Sequence, residues 1–180
     1  MNVSDGERGS AGISVLWPDV NNETFRDALR DAESSDKPNN ISPAIVYSLD
    51  EGVRALWLGD MENDYMEAIE DDIALSPVDI LFAPHHGRKS GRVPKTWLDK
   101  LEPRLIVVGE APSDELDYYS NCNTLTQNSA GDILFCCETG KTHVYVGAPS
   151  YSVNFLGEDP NAPRVKGALH YLGSFDCGDR

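Results

Sequence analysis

No histidine appears before position 85 in this 180-residue chain, and only four occur in all. A metal centre built from an early histidine cluster is therefore excluded. Cysteine is as scarce, with Cys122, Cys136, Cys137 and Cys177 and no C-x-x-C pair, which argues against a zinc ribbon. Apolar runs are short, and none is long enough to span a bilayer. The polar opening "MNVSDGERGSAG" lacks the apolar core of a signal peptide. The chain reads as soluble and cytoplasmic. Basic residues are half as numerous as acidic ones, 15 against 30, for a formal charge of −15. That balance excludes broad nonspecific binding to nucleic acid, which needs clustered Lys and Arg. A local basic site on an acidic body stays compatible with it.

The length suits one domain with a core of its own. Residues 1–11 read as disordered. "GISVLWP" reads as a strand stopped by Pro18. "NETFRDALRDAE" places Phe25, Ala28, Leu29 and Ala32 on one helical face. "PAIVYSL" and "VRALWL", joined by "DEG", read as a hairpin. "ENDYMEAIEDDIA" predicts a helix with Tyr65, Ile69 and Ile73 inward and Asn63 as its N-cap. "VDILFAP" predicts a short buried strand, "VPKTWLDKLEP" a helix, and "RLIVVG" another strand. Residues 110–130 carry no clear period. "GDILFCCET" and "THVYVG" predict a second hairpin, with at least one of Cys136 and Cys137 in the core. Residues 148–180, rich in Pro and Gly, read as a tail. The expected fold class is mixed α/β, a mixed sheet with helices on one face, over residues 12–147.

The chemistry-bearing residues gather after two of these strands. One helix separates "VRALWL" from "VDILFA", so the two should run parallel. Asp60 follows the first, and His85 and His86 follow the second. Parallel strands bring those ends to one sheet edge, where open α/β sheets bind ligands. A carboxylate with imidazoles suits zinc, manganese or iron, and zinc or manganese is the expected metal. Either histidine fits the role, and Asp60, His85 and His86 are the candidate catalytic and metal-binding residues. Arg88, Lys89 and Ser90 follow closely and could hold an anionic substrate such as a phosphate. A solvated loop that offsets acidic neighbours explains the same residues. His143 and His170 read as structural. "ETGKT" is not a phosphate-binding loop, because it leads into a strand and lacks the first glycine.

The run "NNIS…IVYSLDEGVRALWLGD…DILFAPHHG…LEPRLIVVG" resembles the second half of a metallo-β-lactamase-fold domain. The type is that found at the end of the competence DNA-uptake protein ComEC and in related stand-alone hydrolases. The resemblance implies half of an αβ/βα sandwich. It implies that Asp60 bridges two metal ions and that His85 or His86 is a further ligand. The family's H-x-H-x-D-H signature is absent, so these donors alone would hold a metal weakly. Two expectations follow. The chain is the C-terminal part of a metal-dependent hydrolase directed at a phosphodiester, nucleic acid or nucleotide, inactive without its N-terminal half or a partner. Alternatively, it is a degenerate, non-catalytic module of the same fold that binds a partner protein or forms a homodimer.

Overall fold

The computed structural model describes residues 2–5, 9–35 and 37–178. The fold is mixed α/β. Its main sheet has seven strands in sequential order: β1 (Asn2–Asp5), β2 (Gly9–Trp17), β3 (Ala44–Ser48), β4 (Arg54–Trp57), β5 (Ile80–Phe82), β6 (Leu105–Val108) and β7 (Thr124–Thr126). Pairing is antiparallel from β1 to β4 and parallel from β4 to β7. A second, antiparallel sheet contains β8 (Ile133–Glu138), β9 (Lys141–Val146) and β10 (His170–Asp176), in the order β10-β9-β8.

Side-chain alternation assigns the two faces of the main sheet. Val46, Leu56, Leu81 and Ile106 point one way. They share a core with Phe25 and Ala28 of α1 (Glu23–Ser35), Tyr65 and Met66 of α2 (Asn63–Ala68), and Trp97 and Leu101 of α3 (Lys95–Leu101). Helices on one face is the expected arrangement. Ala55, Ile80 and Val107 point the other way, against Ile133, Phe135 and Phe175 of the small sheet. That cover was not expected.

Several elements depart from their sequence reading. Residues 2–5 and 9–11, read as disordered, belong to β1 and the start of β2; Asn2, Val3, Ser4 and Asp5 pair antiparallel with Ser14, Ile13, Ser10 and Gly9, which continues the sheet past β3; residues 1 and 6–8 lie outside the described residues. Backbone pairing needs no apolar side chains, so the polar sequence gave no signal for it. Leu29 is 40% exposed, off the buried stripe of α1. Asn63 is not the N-cap of α2; Glu62 holds that position, and the Asn63 amide donates to the Arg92 carbonyl at 2.8 Å. The helix ends at Ala68, yet Ile69 and Ile73 remain buried through the turns that follow. β7 lies inside the stretch that showed no period. Its three residues pair with β6 and bury only Leu125, too short a run for a period to register.

The supposed tail is largely structural. β10 pairs with β9 along its length, and Tyr151, Val153, Phe155 and Leu156 pack onto Leu105, Leu125 and Val144. Lys141 binds Asp159 at 2.7 Å, which raises the lysine's proton affinity and lowers that of the carboxylate. Cys136 and Cys137 are both half-buried, because β8 is an edge strand; the buried thiol is Cys177. No helix among the described residues is long and apolar enough to cross a membrane.

Asp79 anchors the start of the parallel strands. It is 1% exposed; its carboxylate accepts from the Arg54 amide at 2.8 Å and from Arg104 Nε at 3.0 Å. Replacement by alanine removes the acceptor of both bonds. Asp79→Ala is expected to cost about 2–3 kcal/mol in urea unfolding, the usual range for a buried charge-assisted pair.

Candidate functional site

β4 and β5 pair in parallel with Trp57 opposite Phe82. Leu58 and Gly59 follow β4, then Asp60; Ala83 and Pro84 follow β5, then the two histidines. Both loops therefore leave from the same sheet edge, as the spacing implies. A direct backbone bond joins them, the His85 amide donating to the Gly59 carbonyl at 2.9 Å.

The edge is held in uncommon backbone geometry. His85 (φ 49, ψ 42) and His86 (φ 58, ψ 13) are both left-handed. Each costs a non-glycine residue about 1 kcal/mol or more. Glycines at three adjoining positions make the turn possible. Gly59 has φ +58, and a Cβ there would meet the Ser42 side chain at 2.7 Å. Gly87 has φ +87, and a Cβ would meet Val108 Cγ1 at 2.5 Å. A Cβ on Gly91 would meet His85 Cβ at 2.6 Å. Strain of this kind persists only where the surroundings over-determine it, and it concentrates at functional sites.

The left-handed turn sends the two imidazoles apart. His86 lines a cavity of about 270 Å³ together with Asp60, Trp57, Phe82, Gly109 and Gln127. Its ring lies over Gly109, where a Cβ would be 3.1 Å from both His86 Cβ and Nδ1. Trp57 and Phe82 stack at 4.5 Å beside it. His85 faces away. Its Nδ1 is 3.0 Å from Ser90 Oγ, and it lines a separate, wider cavity with Arg88, Lys89, Glu62, Asp64 and Glu115. The histidine that shares a cavity with Asp60 is thus His86.

The basic cluster falls on the His85 side. Arg88, Lys89 and Ser90 are exposed, and among the described residues no Lys or Arg lines the Asp60–His86 cavity. The Lys89 amide already donates to Glu115 at 2.7 Å. The tyrosines of the following segment fix this loop: Tyr118 donates to the Val93 carbonyl at 2.7 Å, and the Val93 amide donates to the Tyr119 hydroxyl at 3.1 Å. Burial pushes the Tyr119 phenol up to about 12.

Two residues important to the site lay outside the sequence reading. Gly109 supports the His86 ring, and Ser42 accepts a hydrogen bond from the Asp60 amide at 3.0 Å. "VVG" after a buried strand was the one available signal for Gly109; Ser42 had only its place in "NNIS". Among the described residues no group of three or more His, Cys, Asp or Glu could hold a metal ion. His143 is buried beside Tyr171, with Nδ1 3.4 Å from the hydroxyl, and His170 is exposed on β10. In comparisons with known proteins, no family model matches the chain and no curated protein matches it.

The crowding at Gly109 and Gly87 differs in kind. Gly109→Ala crowds His86 at its Cβ and Nδ1 (3.1 Å) and at its backbone Cα (3.2 Å), so it should shift both ring and backbone resonances of His86 in NMR, with a smaller loss of stability than Gly87→Ala. Gly87→Ala adds a left-handed alanine and a clash with Val108; it should lose about 2 kcal/mol or more of stability in urea unfolding.

Proposed function

We propose that this chain supplies one half of a metal-dependent hydrolase site of the metallo-β-lactamase type, directed at a phosphodiester in nucleic acid or a nucleotide. The observation that carries this reading is the shared cavity. Asp60 and His86, one from each of two adjacent parallel strands, line it together, with His86 held there in a strained conformation. The resemblance of "LWLGD" and "APHHG" to that family's motifs supports it. His85, paired with Ser90, is assigned to shaping the loop rather than to metal.

A carboxylate and one imidazole suit zinc or manganese in chemistry but not in number. Two protein donors leave most of a coordination sphere unfilled. The residues present therefore do not make a metal centre by themselves, and the remaining donors come from outside these residues, on a partner segment or chain. Metal, once held, would supply an activated water. Arg88, Lys89 and Ser90 border the neighbouring cavity and are assigned to contact with an anionic substrate there, by hydrogen bonding rather than by net field, because Glu62, Asp64 and Glu115 line the same cavity.

One observation also favours the second reading, a non-catalytic module of the same fold. The small sheet does not cover the whole second face of the main sheet. Ile13 and Trp57 are each 37% exposed, with Val15 and Ile45 half-buried between them in register. An apolar stripe of this kind suits a protein partner or a second copy of the chain. Sedimentation separates the cases: self-association lost in Trp57→Glu supports the homodimer, and a monomer at high concentration opposes it.

The hydrolase reading is tested by titrating zinc and manganese into the metal-free chain by calorimetry. Binding should be weak, about tenfold or more weaker again in Asp60→Ala and in His86→Ala, and unchanged in His85→Ala. Binding indifferent to Asp60 and His86 overturns the assignment. The pure chain should not hydrolyse a phosphodiester, and turnover that survives Asp60→Ala would be equally fatal to it.

A further inference from the structure

We infer that the turn at residues 39–42 is a positioning clamp that aims Asp60 into the cavity it shares with His86. Its positioning residues are Ser42 and the Asn40–Glu62 pair. The inference rests on the reading above for what Asp60 holds, but the clamp itself is argued from geometry.

Residues 59–62 are bound from both sides. On one side the Gly59 carbonyl accepts the His85 amide at 2.9 Å. Apart from the Met61 amide to the Leu58 carbonyl and the Glu62 carbonyl within α2, the links on the other side go to the turn. The Asp60 amide donates to Ser42 Oγ at 3.0 Å. The Glu62 amide donates to Asn40 Oδ1 at 3.0 Å, and the Asn40 amide group donates back to Glu62 Oε2 at 3.5 Å. Asn39 Nδ2 donates to Glu62 Oε1 at 3.2 Å. Both carboxylate oxygens of Glu62 are thus engaged by the turn. Between these links, Met61 is fully buried. The bonds to Ser42 and Asn40 fix the backbone on each side of that buried residue, and with it the direction in which the Asp60 side chain leaves.

Glu62 shows that this arrangement is not a by-product of helix capping. It occupies the N-cap of α2 but makes no side-chain capping bond. Its carboxylate is directed to Asn39 and Asn40 instead, forgoing a favourable interaction with the helix terminus. Gly59 completes the fit, because any larger residue would collide with Ser42 at 2.7 Å. The turn, the Asp60 loop and the histidine loop therefore form one hydrogen-bonded chain along the sheet edge.

The test compares backbone N–H residual dipolar couplings in the native chain, Ser42→Ala, Asn40→Asp, and the swapped pair Asn40→Asp with Glu62→Gln. The swap keeps all donors, acceptors and net charge but exchanges their places. In each single variant the couplings of Asp60 and His85 should move away from native values while those of β3 and β6 stay unchanged. In the swapped pair they should return. Unmoved Asp60 couplings in both single variants overturn the clamp, and so does failure of the swapped pair to restore them in a folded chain. A parallel measurement follows line broadening by manganese at His86, expected to fall several-fold in the single variants and recover in the swap. If the native chain shows no broadening at Asp60 or His86, the metal reading fails while the couplings still decide the clamp.

Discussion

The bond from the His85 amide to the Gly59 carbonyl is the constraint on which the site depends. It joins two loops that leave neighbouring parallel strands, and it holds the second loop while two successive histidines adopt left-handed geometry. Without it, the parallel pairing of Trp57 with Phe82 would still bring the strand ends together, but the direct backbone tie between the two loops would be lost, leaving the Asn63 side chain on the Arg92 carbonyl further along. The glycines at 59 and 87 are the local counterpart of that bond. They remove the Cβ atoms that the close approach to Ser42 and Val108 could not accommodate.

The two ends of the parallel strands have opposite characters. At the starting end, Asp79 is buried and satisfied by Arg54 and Arg104, which ties β4, β5 and β6 into one unit. At the finishing end, strain, glycine and exposed imidazole accumulate. A firm base at one edge lets the other edge hold a costly conformation, since the strands themselves cannot shift to relieve it. The helices on one face and the small sheet on the other complete that rigidity and leave an apolar stripe towards β2.

Separation of the two histidines gives the site its chemical sense. One imidazole joins the Asp60 carboxylate in a cavity walled by stacked aromatics, with no cationic side chain among the described residues that line it. The other joins Ser90 near Arg88 and Lys89, where acidic residues balance the charge. Two adjacent residues thus line two cavities, and a single turn separates them.

The sequence by itself determined the mixed α/β class, the β3–β4 hairpin, the parallel pair β4 and β5, and the delivery of Asp60 and the histidines to one edge. These follow from local patterns: apolar runs of strand length, an intervening helix, and glycines after the strands. Only the tertiary structure decided which histidine accompanies Asp60, because adjacent residues have equal claims until their dihedral angles are known. It also decided that residues 2–5 and 9–11 extend the sheet, that β7 exists, and that β10 turns a Gly- and Pro-rich tail into part of a second sheet. β7 and β10 pair with strands distant in sequence, whereas β1 folds back on the neighbouring β2; all three pairings are made by backbone hydrogen bonds. Such bonds leave little trace in side-chain pattern, since every residue but proline carries the same donor and acceptor.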